Sequence, residues 1–88
     1  MIGKMLRYMR ASSGLNQTKL AKDLNIAQTT LSGYETHYSN PDFEMISKIA
    51  DLCGFEIIFR KKLTNEEYTI NTIERKDFNW NYFQFFYL

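Results

Sequence analysis

The 88 residues, 44% hydrophobic and 24% charged, make one small domain with room for a single modest core, which excludes a multi-domain enzyme and an unfolded chain. Lysine and arginine number 11 against 10 acidic residues, a net charge of +1, so strong overall basicity is excluded as well. The average conceals a split: up to Tyr38 the bases Lys4, Arg7, Arg10, Lys19 and Lys22 outnumber Asp23 and Glu35, whereas after Leu63 the acids Glu66, Glu67, Glu74 and Asp77 outnumber Arg75 and Lys76.

Ile2, Met5, Leu6 and Met9 fall at the i, i+3, i+4, i+7 spacing of one helix face, with Lys4, Arg7, Tyr8 and Arg10 elsewhere on the cylinder. These charges interrupt the apolar run, so neither a secretory signal nor a spanning helix is expected, and a cytoplasmic location follows. Ser12-Ser13-Gly14 stops the helix. Asn16 is placed to cap a second helix, about Gln17 to Leu24, whose apolar stripe is Leu20, Ala21 and Leu24. Asn25 tolerates positive φ and can turn the chain sharply. A third helix is expected over about Gln28 to Thr36, with Leu31 and Tyr34 inward and Gln28, Thr29, Ser32 and Gly33 outward.

His37 to Pro41 reads as a loop, with Asn40 capping a fourth helix that opens at Pro41 and runs through Phe43, Ile46, Ile49, Ala50 and Cys53 to a stop at Gly54. Cys53 is the one cysteine and His37 the one histidine, so no disulfide, metal site or catalytic triad is expected. After Gly54 the period becomes two: Phe55, Ile57 and Phe59 alternate with Glu56 and Arg60, which predicts a strand over Phe55 to Arg60. Leu63 to Glu67 reads as a turn, and Tyr68 to Glu74, dense in β-branched residues, as a partner strand. The last twelve residues hold Phe78, Trp80, Tyr82, Phe83, Phe85, Phe86 and Tyr87. That much aromatic surface must be buried in its own domain or against a second chain, and the alternation of Phe78, Trp80 and Tyr82 favours a third strand.

Two helices joined by a tight turn, the second with a polar face, can set that face in the major groove of DNA. The run from Gln17 to Glu35 resembles the helix-turn-helix of phage repressors of the Cro and cI type, and the resemblance extends over roughly Ile2 to Gly54. It is carried by Gln17 opening the helix, small Ala21 at the helix crossing, Ile26 after the turn, Leu31 and Tyr34 inward, and Glu35 closing. Asn25 replaces the common glycine of the turn, Ala27 the usual hydroxyl cap, and Gly33 a larger residue.

The resemblance implies a mostly helical fold, a four- to five-helix DNA-binding domain over residues 1–54. Residues 55–88 follow it as a β-hairpin or a small sheet shared between two chains, and in this extension the chain resembles the antitoxin-type members of the superfamily, whose strands join across the dimer. It also implies that Gln28, Thr29, Ser32 and Gly33 form the base-reading face, since glutamine can bond adenine bidentately and threonine offers a methyl to thymine. Gln17, Thr18, Lys19, Thr30, Ser39 and Asn40 carry over as phosphate contacts, and Arg10 with Glu35 as an ion pair that orients the third helix.

One such module reads few base pairs, so a homodimer on a palindrome is expected, joined through Phe55, Ile57, Phe59, Tyr68, Ile70 and Trp80. The expected function is sequence-specific binding of double-stranded DNA as a transcriptional regulator, most simply a repressor. No cofactor, metal, membrane or small-molecule substrate is implied. Two alternatives stand beside it: an antitoxin that also binds a protein toxin, and an assembly domain that has lost DNA binding.

Overall fold

The computed structural model describes residues 2–75. They form α1 (Ile2–Ser12), α2 (Gln17–Leu24), α3 (Gln28–Glu35), α4 (Phe43–Leu52), β1 (Phe59–Arg60), β2 (Glu67–Tyr68) and α5 (Ile70–Arg75). The chain is mostly helical, with a two-stranded antiparallel sheet after the fourth helix. It divides into two compact units, the first ending at Ile57 and the second beginning at Ile58.

Local chemistry sets the helix ends of the first unit. Gly14 closes α1 at φ 76°. The Asn16 side chain accepts from Lys19 N at 2.8 Å, satisfying a first-turn donor that the helix itself cannot pair. Asn25 ends α2 in the left-handed region at φ 58°. Ala27 opens α3 with no side-chain cap. The fourth helix differs from expectation at its start: Asp42, not Asn40, is the cap, accepting from Met45 N at 2.8 Å, and α4 opens at Phe43, two residues past a buried Pro41. A carboxylate at that position bonds the free amide and also meets the positive end of the helix dipole, which a neutral asparagine does less well.

Leu6, Leu20, Leu31 and Ile49 are the largest fully buried side chains, one from each of the four helices, so each helix is tied to the same centre. Each such burial is worth about 1.5–3 kcal/mol of transfer free energy. Ala21 is also buried and its small side chain allows α2 and α3 to approach. At the other contact of α3, Gly3 plays the same part: a Cβ there would lie 2.7 Å from Tyr34 O and 2.8 Å from Glu35 O. The N-terminus of α1 therefore meets the last backbone carbonyls of α3 directly.

The expected strand over Phe55 to Arg60 is only partly a strand. Phe55 and Ile57 alternate inward as predicted, but they do so by packing on the helical core, and Phe55 meets Tyr8 edge to face at 6.2 Å. Only Phe59 and Arg60 pair, with Tyr68 and Glu67 respectively. The turn between them uses Asn65 at φ 60°. The expected partner strand over Tyr68 to Glu74 is corrected to the two residues of β2 followed by α5. Here the Thr69 hydroxyl accepts from Thr72 N at 3.1 Å, a capping bond that starts a helical turn despite the β-branched composition. Trp80 and the proposed third strand lie outside the described residues.

Candidate nucleic-acid interface

The turn that joins α2 to α3 is fixed by two backbone bonds, Asn25 N to Lys22 O at 3.1 Å and Ile26 N to Ala21 O at 3.0 Å. Ile26 is half-buried against the core, which holds the start of α3 in place and leaves its first turn facing outward. Gln28 and Thr29 are exposed there, and Thr30 and Ser32 are half-exposed.

A chain of hydrogen bonds connects this exposed turn to the inside of the domain. Arg10 Nε donates to Glu35 Oε2 at 2.7 Å and Arg10 Nη2 to Glu35 Oε1 at 3.0 Å, a two-pronged pair fitting guanidinium to carboxylate. Arg10 Nη1 also donates to Leu15 O at 3.0 Å, tying in the loop between α1 and α2. Gln17 Nε2 donates to Glu35 Oε1 at 3.1 Å. Gln28 Nε2 then donates to Gln17 Oε1 at 2.7 Å. The sequence marked all four residues and predicted the Arg10–Glu35 pair, but it did not show that the four are one network.

Glu35 is only 6% exposed. Burial pushes its carboxyl up, but hydrogen bonds from Arg10 and Gln17 and the Arg10 charge outweigh that, and the carboxyl is held below its ordinary value. The same bonds to Glu35 raise Arg10 against the opposing effect of burial. Both groups are charged, and the last turn of α3 is anchored to α1.

The other candidates divide into two groups. Thr18 and Lys19 are exposed in the first turn of α2, and Ser39 and Asn40 are exposed in the loop after α3. Lys19 Nζ sits 3.0 Å from Asp23 Oδ1, an exposed pair of the kind that exchanges readily for another anion. Gly33 is in a different position from the outward one expected: it is buried. The loop folds back over it, with Tyr38 N and Ser39 N both donating to Gly33 O, at 2.9 and 3.3 Å. A backbone position under a loop has no side chain to offer a base, so Gly33 is corrected to the seat of that loop. Tyr38 carried no sequence signal beyond loop composition, because its relation to α3 arises only from the turn at His37, where φ is 67°.

Of the residues expected to join two chains, Phe55 and Ile57 line an apolar groove of the first unit with Ile2, Met5 and Ile46. In the second unit Phe59 and Tyr68 are cross-strand partners, and Ile70 lies in α5. Among the described residues no cluster of histidine, cysteine and acidic side chains could hold a metal ion, and no helix is long and apolar enough to cross a membrane.

Comparison with known proteins agrees with this geometry. The helix-turn-helix family matches residues 6–59. The chain is 37% identical over 51 residues to the HTH-type transcriptional regulator ImmR of Bacillus subtilis (strain 168), an alignment spanning 58% of this chain and 40% of that protein. It is 27% identical over 73 residues to the SPbeta prophage-derived HTH-type transcriptional regulator YonR of the same organism, spanning 83% of this chain and 68% of the relative. The chain thus covers less than half of ImmR. No solved structure matches. The chain belongs to the helix-turn-helix DNA-binding family of the Cro and cI type.

Proposed function

We propose that this chain reads a palindromic DNA operator as a homodimer and represses transcription by occluding a promoter. Gln28, Thr29 and Ser32 are the base-reading residues. Gln17, Thr18, Lys19, Thr30, Ser39 and Asn40 hold phosphates. The observation that carries this reading is the Gln28–Gln17 hydrogen bond. It restrains an exposed amide at the start of α3, the end of a reading helix that reaches base edges, and so reduces the ordering needed when a base is met.

The dimer follows from affinity. A single module has little beyond sequence-independent phosphate attraction, and two on one DNA face add their binding. Its interface is assigned to the segment after Gly54, through Phe55, Ile57, Phe59, Tyr68, Ile70 and Trp80. Because Phe55 and Ile57 pack on the helical core, the fragment to test is one ending at Ile57. Sedimentation and binding to duplexes enriched from a random pool test both parts together. The full chain is expected to be dimeric and to enrich a palindrome, and the fragment to be monomeric and bind weakly. A monomeric full chain, or a full chain that enriches no sequence, overturns the reading, and a dimeric fragment would confine the interface to the Phe55 and Ile57 that it retains.

A further inference from the structure

We propose that the apolar groove of the helical unit is the seat of the aromatic tail of a second copy, so that each chain of the dimer inserts rings from Phe78 to Leu88 into its twin. The proposal rests on the dimer reading above and names the contact by which the two chains join.

The groove lies between α1, α4 and the segment after Gly54. Ile2 and Met5 of α1, Phe43 and Ile46 of α4, and Phe55 and Ile57 line it, and its volume is about 350 Å³, at the lower end of what holds a small ligand. Met5 is 47% exposed there, and Ile2, Ile46, Phe55 and Ile57 are only half-buried. Apolar area taken out of water is worth about 25 cal/mol for each Å², so a face of this kind gains by being covered. Its shape decides what can cover it. Two concave faces laid together enclose a void, and a void forfeits the contacts that make burial favourable. The twin must therefore offer something that projects.

The tail supplies it. Phe78 to Leu88, outside the described residues, holds seven aromatic residues and no charged one. Rings of this kind bury about 150–250 Å² each, so about four from one tail reach the roughly 800 Å² that each partner of a stable complex contributes. Glu56, the one charged residue of the lining among the described residues, meets no acid in the tail, and Asn79, Asn81 and the Trp80 indole bring donors that can satisfy it. Each copy has one groove and one tail, so reciprocal insertion fills both grooves and closes at two chains. Trp80 of one chain then meets Met5, Phe55 and Ile57 of the other, and the contact is made twice. A tail turned onto its own groove would instead consume the apolar surface on which a dimer depends.

The test uses the full chain carrying Met5→Cys and Trp80→Cys together, under mild oxidation, beside sedimentation of the parent and of Trp80→Ala. The native Cys53 is buried and stays out of the exchange. The double variant is expected to run as a covalent dimer without reductant, with peptides containing positions 5 and 80 joined. Trp80→Ala is expected to raise the dimer dissociation constant on the order of a thousandfold, because a large anchoring ring is lost twice per dimer, while circular dichroism keeps the helical content of the parent. A disulfide closed within one chain, which runs as a monomer, overturns the proposal in favour of the chain's own tail. Dissociation of Trp80→Ala unchanged from the parent overturns it as well, and so does a dimer in which positions 5 and 80 stay unlinked. A parent that sediments as a monomer at every concentration brings down the dimer reading itself, which is a separate result.

Discussion

Gln28 and Gln17 stand in the first turns of two different helices, and a 2.7 Å hydrogen bond from Gln28 Nε2 to Gln17 Oε1 joins them. Gln17 is in turn bonded to Glu35, and Glu35 to Arg10. The geometry of the exposed amide is thus set by a buried ion pair.

Replacing Gln17 with alanine releases the Gln28 amide and deprives Glu35 of a donor. Gln17→Ala is expected to lose about 1 kcal/mol of stability in urea unfolding. Discrimination at the base position read by Gln28 should also fall, measured by competition between matched and mismatched duplexes. Parent-like discrimination would mean that α3 positions Gln28 unaided.

Arg10→Ala leaves the Glu35 carboxylate inside the domain without its two-pronged partner. Such a change is expected to destabilise by about 3–5 kcal/mol, a large part of the roughly 5–15 kcal/mol available to a domain. Replacing both partners together, Arg10→Met with Glu35→Leu, should recover most of the loss in denaturant titration. A double variant as unstable as the single one contradicts the account.

The lowered Glu35 carboxyl makes stability depend on pH in a defined sense. The unfolded carboxyl titrates at its ordinary value of 4.5, and the folded one below it. Between the two the unfolded chain binds more protons, so stability rises with pH. The contribution is complete above 4.5 and is lost as pH falls through the folded value. Urea midpoints measured down this range should fall more steeply for the parent than for Glu35→Gln, which has no such proton to bind.

Gly3→Ala drives a methyl group toward the carbonyls of Tyr34 and Glu35, which are backbone and cannot swing aside. The expected loss is about 1–3 kcal/mol, although alanine is the better helix former. Lys4→Ala, one exposed position along the same helix, should stay within about 0.5 kcal/mol of the parent. Thermal melting of the two variants compares them.

Ala27 has backbone angles suited to a cap, φ −68° and ψ 146°, but no side chain to form one. Ala27→Ser is expected to stabilise the chain by about 0.5–2 kcal/mol, seen as a higher melting temperature. An unchanged melting temperature would show that the free amides of α3 already have satisfactory partners.

The parts of this fold that were legible in the sequence are those decided within a few residues. Asn16, Gly14, Asn25 and Gly54 each end or begin a helix through their own backbone angles or side chain, and their neighbours matter little. The segment after Gly54 shows the limit. Alternation correctly marked Phe55 and Ile57 as turning inward, whereas Phe59 is 51% exposed; alternation reports burial, and an extended chain lying on helices has the same period as a paired strand. Tyr68 to Glu74 departs from the expected strand for a different reason, since one threonine hydroxyl at Thr69 starts a helix that composition disfavours. At the candidate site, Gln28 and Thr29 were legible from the helix pattern and the family resemblance. The burial of Gly33 was not, because it depends on a loop that returns only through the turn at His37.

The most direct test of the central claim, that the start of α3 reads bases, is selection of duplexes from a random pool by the parent and by Gln28→Ala in parallel. The account predicts that the variant enriches the parent's sequence with discrimination lost at one position in each half-site, while its binding to mixed-sequence duplex is retained. Identical enriched sequences from the two proteins would contradict it.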